Sequence, residues 1–216
     1  HLSLRRQRQM CIRDRLKLRM LSQGIAGPRF EKPEEVVEWM GAMQAQDIRA
    51  AKWAVGLRIA SPSLTAVQEA LDTGRILRLH VMRPTWHYIP GRDIKWMTGL
   101  STKGLLSKFR FYAKHFSLTE EDFLRSKPQI EEVLSGQHLT SQEVLEQLHS
   151  KGIALDEPIV KMYLSFGEAD GTVCSGIEKN GKHTYALTCE RIPDAIELSH
   201  EEALAELTRR YFRTVS

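Results

Sequence analysis

Apolar positions recur mostly at helical spacing along this chain, interrupted by two short runs of β-formers. Val36, Val37, Met40 and Met43 follow one helix face after Pro33-Glu34-Glu35, a proline and two acids suited to a first turn. Before them a short helix is expected from Leu16 to Ile25, ending at Gly24, with Pro28 and Pro33 bracketing a loop. A helix starting near Ile48 carries Ala51, Ala54, Val55 and Arg58. Ser63 caps a further one with Leu64, Val67, Ala70 and Leu71, closed by Gly74. Residues 76–89 then crowd β-formers around Pro84 and read as a strand, or as a helix end followed by one.

Asp93 is expected to cap a helix through Trp96, Met97 and Leu100. Lys103, Lys108, Phe109, Arg110, Phe111, Tyr112, Lys114 and His115 mix cations with rings. That pattern suits single-stranded or flipped nucleotides; the plainer reading, a helix with buried rings and a solvated basic face, is preferred. The second half repeats the helix–helix–helix–hairpin order. Thr119 with Asp122 opens one helix, Thr140-Ser-Gln-Glu143 is a capping box for the next, and Asp156-Glu157-Pro158 starts a third with Ile159, Val160, Tyr163, Leu164 and Phe166. Residues 172–178 and 183–189 flank Lys179-Asn180-Gly181-Lys182, and Asn-Gly between β-rich runs marks a hairpin. Pro193 ends this unit, and Ser199-His-Glu-Glu202 opens a helix through Leu204, Leu207 and Phe212. That helix is expected to have nothing to pack into, as if the chain were truncated.

The fold class that follows is mainly α with small β-hairpin wings, arranged as tandem winged-helix units. One unit is assigned to residues 16–117, a second to 118–192, and the start of a third to 193–216. Lys179, Asn180 and Lys182, at the tip of the second wing, are expected against phosphate, although solvated hairpin tips share this composition.

Charge changes the picture less than its total suggests. The 216 residues carry a formal +4, which points toward nucleic acid. Within residues 1–19, however, seven cations face Asp14 alone, a net +6, so the rest of the chain is at −2. Anion binding by the body must therefore come from local patches. The opening residues 1–15 resemble translated sequencing-adaptor read-through and are left out of the fold reasoning; a basic nucleic-acid tail is the functional alternative. No apolar run approaches the ~20 residues of a membrane helix. Three cysteines, none in a CxxC pair, do not make a disulfide scaffold. Cys174 and Cys189 are expected as small core residues on two strands of one hairpin, and a cytoplasmic location is expected.

The candidate chemistry lies in Met40–Arg58. Gln44 and Gln46 stand beside Asp47, whose carboxylate suits an N-cap for the helix at Ile48. On a helix two such side chains would diverge by about 200°; in an extended or turning segment they share one side. They are therefore placed on the turn entering that helix, aimed together into the groove it lines. Taken alone, paired amides there are more often solvated polar residues.

Four segments carry a resemblance: Gly41-Ala-Met-Gln-Ala-Gln-Asp47 with Ala50–Leu57, Met82-Arg-Pro-Thr-Trp-His87, Asp170-Gly-Thr-Val-Cys-Ser-Gly176, and Tyr185–Pro193. In these, and in the spacing between them, the chain from about Leu16 onward resembles the AlkZ-like winged-helix DNA glycosylases, a bacterial family of tandem winged-helix units that continues into a third unit. The family's Gln-x-Gln motif holds its catalytic residues, and Gln44 and Gln46 match it. The related YcaQ-like branch carries an acid at the second position, so Gln46 places this chain on the AlkZ-like side. Ala45 stands where the characterised enzymes have a larger apolar residue.

The resemblance implies hydrolysis of the N-glycosidic bond of alkylated, cationic purines in damaged double-stranded DNA, with no metal or cofactor, by a monomer. Asp47 and His87 are accessory candidates, and Arg83 and Thr85 join Lys179, Asn180 and Lys182 as DNA contacts. His87 has two open readings, a group polarising water or phosphate and a satisfied structural histidine. Two alternatives stand beside the enzyme: a non-enzymatic winged-helix DNA binder or transcriptional regulator, and a winged-helix protein-interaction module. A regulator would read the major groove with the helix at Asp156–Phe166, which is largely apolar after Lys161.

Overall fold

The computed structural model describes residues 2–27 and 29–215, so Pro28 of the expected loop lies outside the described residues. It is mainly helical, with small antiparallel sheets. The first helix, α1 (Leu2–Ser22), begins well before Leu16 and stops at Ser22, followed by Gly24 at φ 64°. Its side chains from Met10 to Leu21 are exposed. The Ser22 hydroxyl, at its C-terminal end, donates to the Thr214 carbonyl.

A first helical trio follows: α2 (Pro33–Met40), α3 (Ile48–Gly56) and α4 (Leu64–Asp72). As the capping residues suggest, Asp47 Oδ1 accepts from the Ala50 N–H and Ser63 Oγ from the Ala66 N–H. Residues 76–90 form a hairpin, β2 (Ile76–His80) and β3 (Trp86–Pro90). The short β1 (Met43–Gln44) adds to its inner strand, giving the sheet order β1-β3-β2. Both faces of this sheet are covered, which is why the hairpin sequence is apolar at successive positions rather than alternating. Val36, Val37, Ala45, Val55, Val67, Ile76 and Tyr88 fill one side. Leu77, Leu79, Ile89, Ile94 and Met97 fill the other, under α5 (Ile94–Ala113).

The same order returns in α6 (Glu120–Leu134), α7 (Ser141–Ser150), α8 (Glu157–Asp170) and the strands β4 (Val173–Ser175) and β5 (Tyr185–Leu187). An isolated bridge from Leu139 to Tyr185 takes the place of β1. The second hairpin turns where expected: Asn180 and Gly181 have φ of 51° and 75°, both residues left-handed as a type I′ turn requires. Lys179 and Lys182 pair across it.

Four expectations are corrected. The helix after Ser199, α10 (His200–Val215), does have something to pack into. Ala203 is buried against the α5 side of the first sheet, and the buried Arg210 pairs with the buried Asp93 at 2.5 Å. Asp93 accordingly makes no cap bond; its carboxylate accepts from Arg210 and from the Trp96 indole N–H instead. Cys174 is buried on β4, but Cys189 is exposed on the short α9 (Thr188–Arg191). The rings of α5 divide: Phe109 is buried, whereas Phe111 and Tyr112 are exposed, because those two fall on the outer side of the helix.

Candidate active site

Gln44 ends β1, and Gln46 lies two residues on, in the bend that leads into α3. Ala45 between them is fully buried in the first core, so both amides point away from it and are exposed. Both amides therefore face away from the core that takes Ala45, and the bend at Gln46 and Asp47 carries the chain into α3. The backbone is held firmly. Ala45 N–H donates to the Trp86 carbonyl at 2.7 Å, and the Gln46 side-chain oxygen accepts from the Trp86 N–H at 3.2 Å. A backbone N–H can only donate, so the amide is oriented with its NH2 outward.

His87 pairs across the ladder with Gln44. Its ring is buried, and its Nδ1 lies 2.8 Å from the Thr85 carbonyl, a bond that places the proton on Nδ1 and leaves Nε2 as acceptor. Burial lowers its pKa below the usual value, and the neighbouring Arg83 and His80 add to this despite the opposing bond to Thr85. Arg83 is exposed in the β2–β3 turn beside Met82, which is strained at φ 63°. Thr85 is half-buried, with its hydroxyl oxygen sealed and lacking a protein partner.

The second tip lies across from α3: Lys52 on α3 pairs with Glu178 at 2.9 Å. Lys182 and Asn180 are exposed, whereas Lys179 is engaged with Glu143 at 3.1 Å. The structure therefore gathers Gln44, Gln46, His87, Thr85 and Arg83 on one sheet. Lys179, Asn180 and Lys182 sit on a separate hairpin.

Sequence reasoning missed a cluster behind the two amides. Arg78, His80, Trp86, Glu168 and His183 meet at the seam between the two hairpins. Arg78 covers the Trp86 ring at 4.1 Å, and His80 packs on the same ring. His80 Nδ1 lies 2.5 Å from Glu168, whose carboxylate is fully buried. His183 meets the edge of Trp86, and burial, with Arg78 and His80 nearby, drops its pKa to about 3. The only sequence signal was polar residues inside β-rich runs. Among the described residues, no group of three or more His, Cys, Asp or Glu is placed to hold a metal ion, and no helix is long and apolar enough to cross a membrane.

Two helical trios, each followed by a hairpin and with paired amides on the first sheet, define a tandem winged-helix protein. The family model for AlkZ-like DNA glycosylases matches residues 37–215, and the chain belongs to that family. A solved structure, the Streptomyces sahachiroi DNA glycosylase AlkZ, superposes with a TM-score of 0.72 at 20% identity, over 92% of this chain and 55% of its own. The chain thus spans about half the length of that protein. No curated protein matches the chain.

Proposed function

We propose that this chain is the catalytic part of a DNA glycosylase that hydrolyses the N-glycosidic bond of alkylated, cationic purines and leaves the strand uncut. The observation that carries this reading is the exposed Gln44–Gln46 pair, set on either side of the buried Ala45 in a segment tied to Trp86, in a chain of the AlkZ-like family. Water attacks the sugar C1′ as its bond to the purine nitrogen breaks, the bonding pair neutralises the cationic base, and the water's proton is released to solvent. Because the leaving group is already charged, it needs little acid help. The site must orient water and stabilise an oxocarbenium-like sugar. Gln44, whose oxygen is not committed to the sheet, orients the water and lays its dipole against the developing charge. Gln46 offers N–H donors, suited to an oxygen of the reacting sugar. With no carboxylate in this pair, undamaged purines are spared.

Arg83, Thr85, Asn180 and Lys182 contact the backbone of double-stranded DNA in this reading, with Lys179 released from Glu143. His87 supplies an acceptor beside Gln44. Residues 16–117 and 118–192 form the two units in this reading, and the protein works as a cytoplasmic monomer without metal or cofactor. The regulator alternative is disfavoured by α8, which exposes only Pro158, Lys161 and Asp170 along its length and so has no face for base edges. The test is incubation with duplex DNA carrying N7-methylguanine, scored for abasic sites. Sequence-selective binding without base release would support the regulator instead.

A further inference from the structure

Arg78 stands on β2, the edge strand farthest from β1, yet its side chain ends on the β1 segment. Met43, Tyr88 and Arg78 share one cross-strand row, so the side chain runs diagonally over β3. Its Nε donates to the Ala45 carbonyl at 2.9 Å and Nη2 to the Gln46 carbonyl at 3.4 Å, while the guanidinium lies over Trp86. On the outer edge its backbone N–H donates to Ser175 Oγ of the second hairpin at 2.9 Å. The residue is 8% exposed, and among the described residues no carboxylate lies within ion-pair distance of it. Glu168 and Glu178 act on it only from beyond that distance, and a buried guanidinium without a contacting counterion is costly. What it does here is hold two carbonyls and one ring.

Those carbonyls belong to the residues that set the direction of both amides. We propose that Arg78 is the positioning residue of the Gln44–Gln46 segment, and that through Ser175 it makes the geometry of the pair depend on docking of the second hairpin. The inference rests on the catalytic reading of the pair for its effect on rate, but not for its effect on order. Ala45 N–H and the Gln46 side chain are pinned by Trp86, and the guanidinium pins the remaining carbonyls and Trp86 itself. Displacements near one ångström at a reacting centre cost about 10²-fold in rate.

The experiment uses the full chain with 15N-labelled glutamine and three variants, Arg78→Met, Arg78→Lys and a core control, Leu148→Ala. Side-chain amide relaxation of Gln46 and single-turnover release of N7-methylguanine from duplex DNA at saturating protein are read together. Arg78→Met is expected to mobilise the Gln46 amide and slow release at least tenfold, with DNA affinity within twofold. Arg78→Lys, which can reach one carbonyl, recovers part of both. Leu148→Ala lowers the melting temperature and changes neither. Parent-like amide order in Arg78→Met, or equal loss in Leu148→Ala, overturns the proposal. If Arg78→Met does not fold, Arg78→Lys decides: some loss of order supports the proposal and none overturns it. If the parent releases no base, the catalytic reading falls while the amide measurement still decides the positioning role.

Discussion

The side-chain oxygen of Gln46 accepts from the backbone N–H of Trp86, so the two exposed amides are not equivalent. One has its oxygen fixed to the sheet, and the other, Gln44, ends β1 opposite His87. Replacing either by Ala is expected to slow base release with little change in DNA affinity, by up to about 10²–10³ for a preorganised polar group and less for a labile cationic base. Gln46→Glu keeps an oxygen for Trp86 and is expected to leave the melting temperature unchanged, whereas Gln46→Ala lowers it slightly. Parallel losses of rate and affinity in Gln44→Ala and Gln46→Ala would reduce the pair to a phosphate contact.

DNA affinity should come from phosphate and fall steeply with salt. Arg83 is exposed at the first tip, so Arg83→Ala is expected to weaken binding equally on all sequences and to reduce the salt slope by about one. At the second tip Lys182 is free of the Glu143 pairing that holds Lys179. Lys182→Ala should therefore weaken binding more than Lys179→Ala. A selected sequence bound orders of magnitude above random DNA in physiological salt would contradict this.

The parts of the fold that local rules determine were legible in the residues. Asp47, Ser63, Thr119 and Thr140 cap the helices they precede, and Asn180-Gly181 turns the second hairpin. The bend that carries Gln46 and Asp47 into α3 also lies where the residues pointed. What was not legible depends on partners distant in the chain. Asp93 reads as a cap until Arg210, 117 residues later, claims its carboxylate. Arg78 and Glu168 look like surface residues within β-rich or helical runs until the two hairpins dock. Exposure of Phe111 and Tyr112 required knowing which side of α5 the sheet covers.

The Asp93–Arg210 pair tests how α10 is held. Both groups are buried, and breaking one partner of such a pair leaves an uncompensated charge, typically a loss of about 3–5 kcal/mol. Glu206 also contacts Arg210, so Asp93→Asn should fall toward the lower end of that range. The exposed Lys95–Glu197 pair should matter little when Lys95 becomes Ala. Urea unfolding monitored by circular dichroism distinguishes the two, and equal midpoints would show that the buried pair does not anchor the helix.

Acid should weaken the fold through imidazoles before it does so through carboxylates. His183 has a folded pKa near about 3 against an ordinary 6.5, and burial also lowers those of His87 and His138. Between those limits the unfolded chain binds protons that the folded chain refuses, so stability rises with pH and is lost as pH falls below 6.5. For a fully shifted group the slope approaches about 1.4 kcal/mol per pH unit. Glu206, held down to about 2 by Arg209 and Arg210, adds its own loss only below its ordinary 4.5. The interval from pH 6.5 to 5 therefore isolates the histidines. His183→Gln should flatten the fall in melting temperature across that interval, since an amide in its place takes up no proton in either state. An unchanged slope in this variant would mean that the ring sealed against Trp86 is reached by water and titrates normally.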